Sequence, residues 1–397
     1  MRVLLVNAGS SSLKCTLMES AGRAVVARAS ADWAGAVARY QRSGPGAEKV
    51  SVEVSFRAHG EAVRHALEDL ALTSRPGAGT DSELCAAVGH RIVHGGDFCA
   101  PVRIDSAVRS RIAALAELAP LHNPPGLEAL AAAESALPEV PHVAVFDTAF
   151  HASLPAVART YPLPREWIDD WGIRRFGFHG LSHSYCAIRA AELLGQHVED
   201  LRLVICHLGH GCSATAVHRG RSIDTTMGFT PLDGLMMATR SGSVDPGILS
   251  HVQLRHGLKA QEVDDALNHR SGLFGVSGIS GDMREVLAAA KAGHDRARLA
   301  VDVYTHRVRQ AIGALAVTLG GIDALVFTAG VGENSPEVRA MTCRGLECLG
   351  VELDPEANAR CRPDADVARR GAAARTLVVA AREDVAMLSE VLRVIAT

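Results

Sequence analysis

Two arginines of this 397-residue chain occupy stretches in which a solvated surface charge is unusual. Arg91 lies in GHRIVHGG (89–96) and Arg240 in MMATRSG (236–242), each among apolar residues and glycines. A guanidinium keeps its charge in a dry site, and its planar fork matches a carboxylate or a phosphate. A buried structural ion pair is the alternative. The two stretches therefore predict anion binding, and ion pairing stays open as the second interpretation.

Two glycine-containing turns share one pattern of flanking residues. Asn-Ala-Gly-Ser-Ser-Ser (7–12) separates two apolar runs, and Gly-His-Gly (209–211) separates two more. Small residues let backbone N–H groups approach an anion, and Lys14 adds a positive charge. An ordinary hairpin turn is the alternative, whereas a Walker A loop is excluded because its motif is absent from the chain. The repeated pattern predicts a duplicated architecture with a phosphate-binding hairpin in each half.

Two acidic residues and one histidine are further candidates for chemistry. Asp147 and Glu383 each follow an apolar run, where a carboxylate either helps to hold Mg²⁺ or caps a turn or helix. His179 stands between glycines in FGFHG (176–180), where it can donate to an oxyanion or serve a structural purpose. Together the two carboxylates supply the sparse ligation that Mg²⁺ prefers.

The stretch from Cys206 to Cys212 contains His207 and His210 and raises the question of a zinc site. Structural zinc sites usually combine two closely spaced ligand pairs from separate turns. Here the two cysteines stand on opposite arms of one predicted hairpin, and no second cluster completes a ligand shell. The sequence favours a phosphate-binding turn over a metal site.

The elements that position these residues follow from apolar periodicity. Helices are predicted at 106–119, 126–136, 183–194 and 303–319. Strands are predicted at 143–147, 324–328 and 376–380. A rigid loop is predicted at 120–126, because its prolines exclude a helix interior and a central strand. Strands that alternate with helices indicate α/β layers.

The bulk properties limit the possible partners and compartments. A chain of this length suits two domains of about 150–200 residues each. The formal net charge of −3 gives no reason to expect nucleic acid or an anionic membrane as a partner. The first seven residues are too short for a signal peptide, and no apolar run is long enough to span a membrane. Nine scattered cysteines without a C-x-x-C pair predict reduced thiols in the cytoplasm.

Taken together, nine stretches resemble the acetate kinase family, within the actin-like and sugar-kinase ATPase superfamily. They are NAGSSSLK (7–14), GHRIVHGG (89–96), PLHNPP (120–125), FDTAFH (146–151), FGFHG (176–180), TTMGFTPLDGLM (225–236), TRSG (239–242), SGLFGVSGISGDMR (271–284) and FTAGVGENSPEVR (327–339). Any one of them is weak by itself, but they occur in the family's order. The resemblance covers essentially the whole chain.

The resemblance implies a fold and an activity. The implied fold is α/β, with two ribonuclease H-like (actin-like ATPase) domains and a cleft between them. The first domain is expected at 1–150 plus about 385–397, and the second, nucleotide-binding domain at 151–384. The implied reaction is the reversible transfer of the ATP γ-phosphoryl group to acetate, which gives acetyl phosphate and ADP with Mg²⁺ or Mn²⁺. A cytoplasmic homodimer is expected.

The resemblance also implies a role for individual residues. Catalysis is assigned to Asp147, Arg91, Arg240 and His179. The acyl pocket is assigned to Arg91, Val93, Leu121, Phe178 and Pro231. Nucleotide binding is assigned to four groups of residues. They are Asn7, Ser10, Ser12 and Lys14; His207, Gly209, His210 and Gly211; Asp282, Met283 and Arg284; and Gly330, Gly332, Glu333 and Asn334. Asn7 and Glu383 are assigned to the metal, with Asp147 at or near it.

Three residues depart from the family's pattern. His210 stands where the second hairpin usually has asparagine, Arg382 precedes Glu383 where asparagine is common, and Ser243 follows TRSG where aspartate is usual. These changes lie near the implied nucleotide and metal residues and leave the acyl pocket unchanged. They make the phosphoryl donor the less secure half of the assignment.

Two other functions stay open at this stage. A propionate or other short-chain fatty-acid kinase would use the same scaffold, although Val93 is larger than the alanine expected of a propionate pocket. A nucleotide-binding regulator without catalysis would not need to keep Arg91, Arg240, His179, Asp147 and Glu383. A sugar kinase fits less well, because its hydroxyl acceptor requires a carboxylate base and does not require an arginine-rich pocket.

Overall fold

The chain is described here by a computed structural model. The structure describes residues 1–9, 12–33, 38–44, 47–72, 85–119 and 123–396. These residues form two compact units. The first comprises Met1–Phe150 and Arg382–Thr397, and the second comprises His151–Ala381.

The strands form one sheet in each unit. In chain order they are β1 Arg2–Ala8, β2 Ser12–Glu19, β3 Ala24–Asp32, β4 Ala38–Gly44, β5 Ala47–Val54, β6 Ala87–Ile92, β7 Val102–Arg103, β8 His142–Phe146, β9 Arg202–Leu208, β10 Cys212–His218, β11 Arg221–Thr225, β12 Ala324–Thr328, β13 Ala365–Asp366 and β14 Arg375–Val378. The first eight belong to the first unit and the last six to the second.

The described helices pack around these sheets. In chain order they are α1 His59–Asp69, α2 Ser106–Ala114, α3 Asn123–Ala136, α4 Ala156–Arg159, α5 Arg165–Asp169, α6 Gly180–Leu194, α7 Pro246–His256, α8 Ala260–His269, α9 Gly272–Ser277, α10 Met283–Lys291, α11 Asp295–Leu319, α12 Ala329–Asn334, α13 Pro336–Cys343, α14 Pro355–Ala359 and α15 Glu383–Ile395. Short 3₁₀ segments lie at Ala21–Arg23, Leu115–Glu117, Ala149–Ser153, Val198–Asp200 and Glu347–Leu349.

The two sheets repeat one topology. The first has the strand order β5-β4-β3-β2-β1-β6-β8-β7, and the second has β11-β10-β9-β12-β14-β13. In each sheet the first strand of an antiparallel hairpin, β1–β2 or β9–β10, pairs in parallel with a third strand, β6 or β12. That strand pairs in parallel with a fourth, β8 or β14. The last six strands of the first sheet therefore match the second sheet in order and direction. This correspondence confirms the duplicated architecture predicted from the two glycine turns.

The central strands of each sheet are apolar, as expected of strands that are covered on both faces. The interior residues of β1, β8 and β12 are buried along almost their whole length. Such continuous apolar runs are typical of strands that carry helices on both faces. The strands predicted at 143–147, 324–328 and 376–380 correspond to β8, β12 and β14, with shifts of at most two residues at their ends.

The predicted loop at 120–126 is wrong over its second half. Residues 120–122 lie outside the described residues, and helix α3 begins at Asn123, so that Pro124 and Pro125 occupy its first turn. Proline is tolerated there because the first backbone N–H groups of a helix have no intrahelical acceptor. The prediction treated these prolines as interior residues, where they would break a helix.

The other helix predictions hold, with adjusted ends. The predicted helix 106–119 ends as α2 at Ala114 and continues as a 3₁₀ turn, and Asp105 caps its start by accepting a hydrogen bond from Val108 N (2.8 Å). The helix predicted at 303–319 is α11, which begins eight residues earlier at Asp295. Among the helices of the described residues, none combines the length and hydrophobicity that crossing a bilayer requires.

Helix α15 returns to the first unit and packs on its sheet. Its buried face includes Val385, Leu388 and Val391. Gly89 in β6 provides the room for this contact, because a Cβ atom there would lie 2.5 Å from Val391 Cγ2 and 3.1 Å from Leu5 Cδ2. The absence of a side chain at position 89 therefore allows the last helix to approach the sheet.

We expect Gly89→Ala to lower the free energy of unfolding by about 1–3 kcal/mol through overpacking. Val391→Ala removes the clashing methyl groups, so the double variant should lose less stability than the sum of the two single variants. Gly313→Ala is the control, because position 313 has open space in α11 and alanine there should be neutral or stabilising. Urea unfolding measures all four variants, and strict additivity would contradict the packing explanation.

Candidate active site

The first hairpin consists of β1 and β2, and its predicted residues Asn7, Ser12 and Lys14 lie on these two strands. Asn7 and Lys14 are paired across the hairpin, and Gly9 N donates to Ser12 O (2.8 Å). Lys14 is exposed, and Ser10 lies outside the described residues. His59 on α1, which the sequence analysis did not identify, lies with its Nε2 atom 2.7 Å from Gly9 O and so fixes the turn to the helix.

The sheet of the first unit brings Arg91, Asp147 and Asn7 together. The three residues come from β6, the residue after β8, and β1, which are neighbouring parallel strands. Arg91 Nε donates to Asp147 Oδ1 (2.9 Å), Nη2 donates to Oδ2 (2.5 Å), and Nη1 donates to Asn7 Oδ1 (3.1 Å). These bonds use three of the five N–H groups of the guanidinium, and the other two have no hydrogen-bond acceptor among the described residues.

The charges of this cluster depend on one another. Burial opposes the charged form of Arg91, yet the attraction of Asp147 and Glu383 raises its pKa above the ordinary value. Burial also raises the pKa of Asp147, and the guanidinium of Arg91 opposes that rise. The ion pair that the sequence analysis left open as an alternative for Arg91 is therefore present.

Arg382, one of the departures from the family pattern, is paired with the acidic residue that follows Glu383. Its Nε donates to Asp384 Oδ1 (2.8 Å), and Arg28 Nη2 donates to Asp384 Oδ2 (3.0 Å). Burial opposes the ionised carboxylate, but these hydrogen bonds hold the pKa of Asp384 below its usual range. The extra positive charge before Glu383 is therefore balanced locally by Asp384.

The second hairpin turn joins β9 to β10 in the second unit. Gly209 N donates to Gly211 O (3.0 Å), and the carbonyl of His210 accepts from Ala238 N (3.1 Å). A Cβ atom at Gly211 would lie 3.4 Å from both Cε1 and Nε2 of His179 and 3.8 Å from Arg240 Nη1. The turn, His179 and Arg240 thus form one cluster, and phosphate binding by this cluster stays a prediction.

Arg240 is the cationic centre of this second cluster. Its Nη1 donates to the carbonyl of Pro231 (3.0 Å), and no carboxylate among the described residues pairs with it. Burial lowers its pKa, which is the signature of a charge that lacks an anionic partner. Burial and the nearby Arg240 also lower the pKa of His210, so this histidine is neutral near pH 7.

His179 is held in a fixed orientation beside Arg240. Its backbone is left-handed (φ 59°), which is uncommon for a residue other than glycine, and it immediately precedes α6. Its Nδ1 atom lies 2.9 Å from Ser213 Oγ, and its ring stacks on His207 with centroids 4.2 Å apart. His207 is itself fixed by Ser182, whose Oγ lies 2.8 Å from His207 Nδ1.

Asp282, Met283 and Arg284, predicted to bind the nucleotide, form the start of α10. Asp282 caps the helix by accepting from Arg284 N (2.8 Å), and it also pairs with the exposed guanidinium of Arg284. Met283 is buried. The hydrogen bonds in the structure give these residues a helix-capping arrangement, and nucleotide binding by them stays a prediction.

The predicted nucleotide residues 330–334 lie in α12, directly after β12. Glu333 Oε1 accepts from Ala381 N (2.8 Å), and Asn334 Nδ2 donates to Gly330 O (2.9 Å). Gly332 packs against Phe327, where a Cβ atom would lie 3.5 Å from the Phe327 carbonyl carbon. Gly330 has open space at its Cα, so a ligand can approach the backbone there.

The predicted acyl-pocket residues are divided between the two units. Val93 and Phe178 are buried, and Pro231 is half-buried. Val93 belongs to the first unit, whereas Phe178 and Pro231 belong to the second. Leu121 lies outside the described residues.

The nine cysteines all lie within the described part of the chain, and no disulfide joins any of them there. Burial raises the pKa of the Cys206 thiol, and it raises that of Cys212 to about 11. Cys212 Sγ lies 3.3 Å from Tyr304 Oη and 3.4 Å from Gly209 O. In the described residues, no group of three histidine, cysteine or acidic side chains is arranged to hold a metal ion.

Known proteins resemble this chain in sequence and in structure. The model of the Acetokinase family matches residues 2–389 of the chain. The chain belongs to the acetokinase family.

Individual relatives in this family are similar over three quarters or more of their length. An acetate kinase of Cyanothece sp. is 46% identical over 406 residues, which cover 100% of this chain and 99% of that protein. An acetate kinase of Gloeobacter violaceus is 55% identical over 305 residues, 76% of this chain and 75% of its own.

Solved structures of acetokinase relatives agree with this assignment. The crystal structure of Porphyromonas gingivalis acetate kinase superposes with a TM-score of 0.91 at 37% identity and covers 99% of both chains. That of a propionate kinase from Francisella tularensis superposes with a TM-score of 0.90 at 34% identity and the same coverage. The predicted fold class and the predicted phosphotransferase activity are confirmed.

Two residues that support the acetokinase motifs were missed by the sequence analysis. Arg339 on α13 is almost fully buried and donates to the carbonyls of Gly332 (2.8 Å), Glu333 (2.9 Å) and Asn358 (2.9 Å). Asn358 also accepts from it through Oδ1 (2.7 Å). An arginine at the end of FTAGVGENSPEVR (327–339) was the available signal, but three of its four acceptors are backbone carbonyls, which sequence does not reveal.

Asp233 is the second missed residue, and it explains one departure from the family pattern. Its carboxylate accepts from Ser243 Oγ (2.6 Å), Arg175 Nη1 (3.3 Å) and Tyr161 Oη (3.3 Å). A carboxylate at position 243 would face Asp233 with like charge, whereas the Ser243 hydroxyl donates to it. These contacts fix the loop that carries Pro231, the hydrogen-bond acceptor of Arg240.

Buried histidines make the stability of this acetokinase depend on pH. Burial lowers the pKa of His90, His151 and His183 from 6.5, to about 4 for His151. Below pH 6.5 the unfolded chain therefore binds more protons than the folded protein. We expect the free energy of unfolding to fall as pH drops from 6.5 towards 4, by at most ~1.4 kcal/mol per histidine and pH unit.

Urea unfolding between about pH 5 and 7.5 measures this dependence. His151→Gln removes one titrating group and keeps a side chain that can donate to Phe178 O, the partner 3.0 Å from His151 Nε2. The variant should show a smaller slope of stability against pH than the unmodified protein. Identical slopes for the two proteins would contradict the role of His151.

Proposed function

We propose that this member of the family is an acetate kinase, which reversibly transfers the γ-phosphoryl group of ATP to acetate and yields acetyl phosphate and ADP. The observation that carries the proposal is the partly buried guanidinium of Arg240, which has no carboxylate partner in the described residues and lies beside His179 and the 209–211 turn. A desolvated cation of this kind is stabilised by a bound anion. A transferring phosphoryl group is the anion that the family's reaction supplies.

The acceptor chemistry needs no general base, because a carboxylate is already a nucleophile. The obstacle is the approach of one anion to another, and fixed positive charge removes it. Arg91 and Arg240 hold the acyl carboxylate and the phosphoryl group, and His179 donates to the phosphoryl oxygens in the transition state. Asp147 orients Arg91 through its two hydrogen bonds.

The residues at the edge of the first sheet suit Mg²⁺. Asp147, Glu383 and the amide of Asn7 offer only oxygen ligands, and Mg²⁺ prefers one or two carboxylates completed by phosphate oxygens and water. When bound, the ion supplies positive charge to the phosphates, which lowers the repulsion of the acceptor. Mn²⁺ satisfies the same oxygen ligands.

The phosphoryl donor is assigned to ATP. The turns at Asn7–Lys14 and His207–Gly211 hold the phosphates, and Asp282–Arg284 with Gly330–Asn334 hold adenine and ribose. The open space at Gly330 supports this assignment, since a base or sugar can lie against that backbone. Neutral His210 keeps a ring N–H that donates to a phosphate oxygen, in the place of the asparagine amide common in the family.

Acetate is preferred to propionate as the acceptor. We assign the acyl pocket to Val93, Leu121, Phe178 and Pro231, and the buried Val93 is larger than the alanine expected of a propionate pocket. A solved relative named as a propionate kinase is nearly as similar to this chain as one named as an acetate kinase, so propionate is the second candidate. The two substrates differ by a methylene worth about 1–3 kcal/mol in an apolar pocket.

The assembly and compartment belong to the same proposal. We infer a homodimer in the cytoplasm, with the chain divided into domains at about residues 150 and 384. The nine cysteines without a disulfide in the described chain support a reducing compartment.

We expect Arg240→Ala and Arg91→Ala each to lower kcat by about 10³-fold or more, by analogy with other arginines that clamp a phosphoryl group. Arg240→Lys should also lose activity, because a lysine ammonium cannot reproduce the paired N–H donors of a planar guanidinium. Arg221→Ala is the matched control, because that arginine is exposed on β11. Hydroxamate detection of acetyl phosphate measures turnover, and near-normal kcat in a folded variant would remove that arginine from the mechanism.

We expect Val93→Ala to shift the ratio of kcat/KM for propionate over acetate upward by about 10-fold, because one methylene then fits. Val102→Ala, on β7 of the same unit, is the control and should leave the ratio unchanged. Acetate, propionate and butyrate are compared under the same ATP and Mg²⁺ concentrations. An unmodified protein that prefers propionate would overturn the choice of acetate.

A further inference from the structure

A buried chain of side chains connects His179 to the interior of the second unit. Ser213, the second residue of β10, lies with its Oγ 2.9 Å from His179 Nδ1 and 2.7 Å from His183 Nε2. Both Ser213 and His183 are fully buried. A serine hydroxyl has a single hydrogen, so it donates to one of the two rings and accepts from the other.

The environment of His183 decides which ring donates. Its Nδ1 atom is buried and has no hydrogen-bond partner among the described residues. Burial, with His151 and His207 nearby, lowers the pKa of His183 well below 6.5, so the ring is neutral and carries one proton. A proton on Nδ1 would be a buried donor without an acceptor, while a proton on Nε2 is shared with Ser213. The Nε2–H form is therefore favoured.

A second histidine pair in the protein follows the same rule. His142 Nε2 lies 3.1 Å from the carbonyl of Leu137, which accepts a proton only from that nitrogen. His142 Nδ1 is therefore an acceptor, and His90 Nε2, 2.8 Å away, donates to it. This leaves the proton-free Nδ1 of His90 as the buried atom without a partner. Here an independent carbonyl fixes the assignment, and the unpartnered nitrogen again carries no proton.

We propose that His183 and Ser213 are positioning residues that fix the tautomer of His179, so that it presents an Nε2–H donor at the 209–211 turn. His183 Nε2–H donates to Ser213 Oγ, and the Ser213 hydroxyl donates to His179 Nδ1. In the neutral form of His179, the single ring proton then resides on Nε2, the atom beside Gly211 and in the same cluster as Arg240. The inference rests on the proposed role of His179 as the donor to the phosphoryl group.

The alternative arrangement would work against phosphoryl transfer. If Ser213 donated to His183 instead, His179 would carry its proton on Nδ1 and present a lone pair on Nε2. A lone pair repels a phosphoryl oxygen, whereas an N–H group stabilises the charge on it. The hydrogen bonds from His183 through Ser213 therefore determine which nitrogen of His179 carries the proton, without any change in the position of the ring.

Neutron diffraction on crystals of the full-length protein exchanged into D₂O tests the tautomer directly. We expect deuterium on Nε2 of His179, on Nε2 of His183 and on Ser213 Oγ in the direction of His179. Deuterium on Nδ1 of His179 would overturn the proposal whatever the activity of the enzyme. This readout is independent of the proposed function, which fails separately if His179→Ala keeps normal turnover.

Kinetics test the consequence of the hydrogen bonds from His183 through Ser213. Ser213→Ala should lower kcat by about 10²-fold with KM values changed less than about threefold, since a transition-state donor is affected. Ser213→Thr keeps the hydroxyl and should restore most of kcat. Ser222→Ala is the matched control, because Ser222 is another buried serine that contacts a histidine, with its Oγ 2.8 Å from His151 Nδ1. Wild-type kcat in Ser213→Ala would overturn the proposal.

Substitutions at His183 separate hydrogen bonding from packing. His183→Gln places an amide N–H near the former Nε2 and should keep kcat within a few-fold, whereas His183→Leu fills the space without a donor and should resemble Ser213→Ala. The double variant Ser213→Ala/His183→Leu should lose no more than either single variant, since both act through His179. Circular dichroism and thermal melting identify variants that fail to fold. If a variant does not fold, the neutron structure of the unmodified protein decides whether His179 carries its proton on Nε2.

Discussion

In each sheet, the first strand of an antiparallel hairpin also pairs in parallel with a strand from much later in the chain. β1 pairs with β6 and β9 pairs with β12. Residues at the carboxyl ends of these strands are thereby brought to one edge of the sheet, next to the hairpin turn. Asn7, Arg91 and Asp147 meet in this way in the first unit, and the same topology places α12 after β12 in the second. The candidate site depends on this pairing more than on any single contact.

The two candidate arginines, one in each unit, differ in how their charge is balanced. Arg91 is held by a bidentate carboxylate and an amide, and its position is fixed whether or not a ligand is present. Arg240 has a carbonyl as its hydrogen-bond acceptor and no anionic partner in the described residues. One guanidinium is therefore preorganised by the protein, and the other depends on a ligand for its counter-charge. One fixed guanidinium and one guanidinium whose charge a ligand balances suit a reaction in which a phosphoryl group moves between two molecules.

The sequence was sufficient for features that depend on local pattern. Apolar runs and glycine turns predicted both hairpins and the strand at 324–328, and the motifs predicted the family. The loop at 120–126 was wrong because proline has opposite effects in the first turn and in the interior of a helix. The pairs Arg91–Asp147 and Arg382–Asp384 and the contacts of Ser213 with two histidines were not foreseen. They arise from tertiary packing, which spacing along the chain does not encode.

The return of α15 to the first sheet has a consequence for biosynthesis. A nascent chain leaves the ribosome with β1, β6 and β8 long before the last helix is made, so the face around Gly89 and Leu5 lacks its cover while some 230 residues of the second unit follow. The first unit therefore cannot reach its final packing during early translation. Its completion waits for the segment that covers Gly89, and a ribosome that stalls before that segment releases a chain with an exposed apolar sheet.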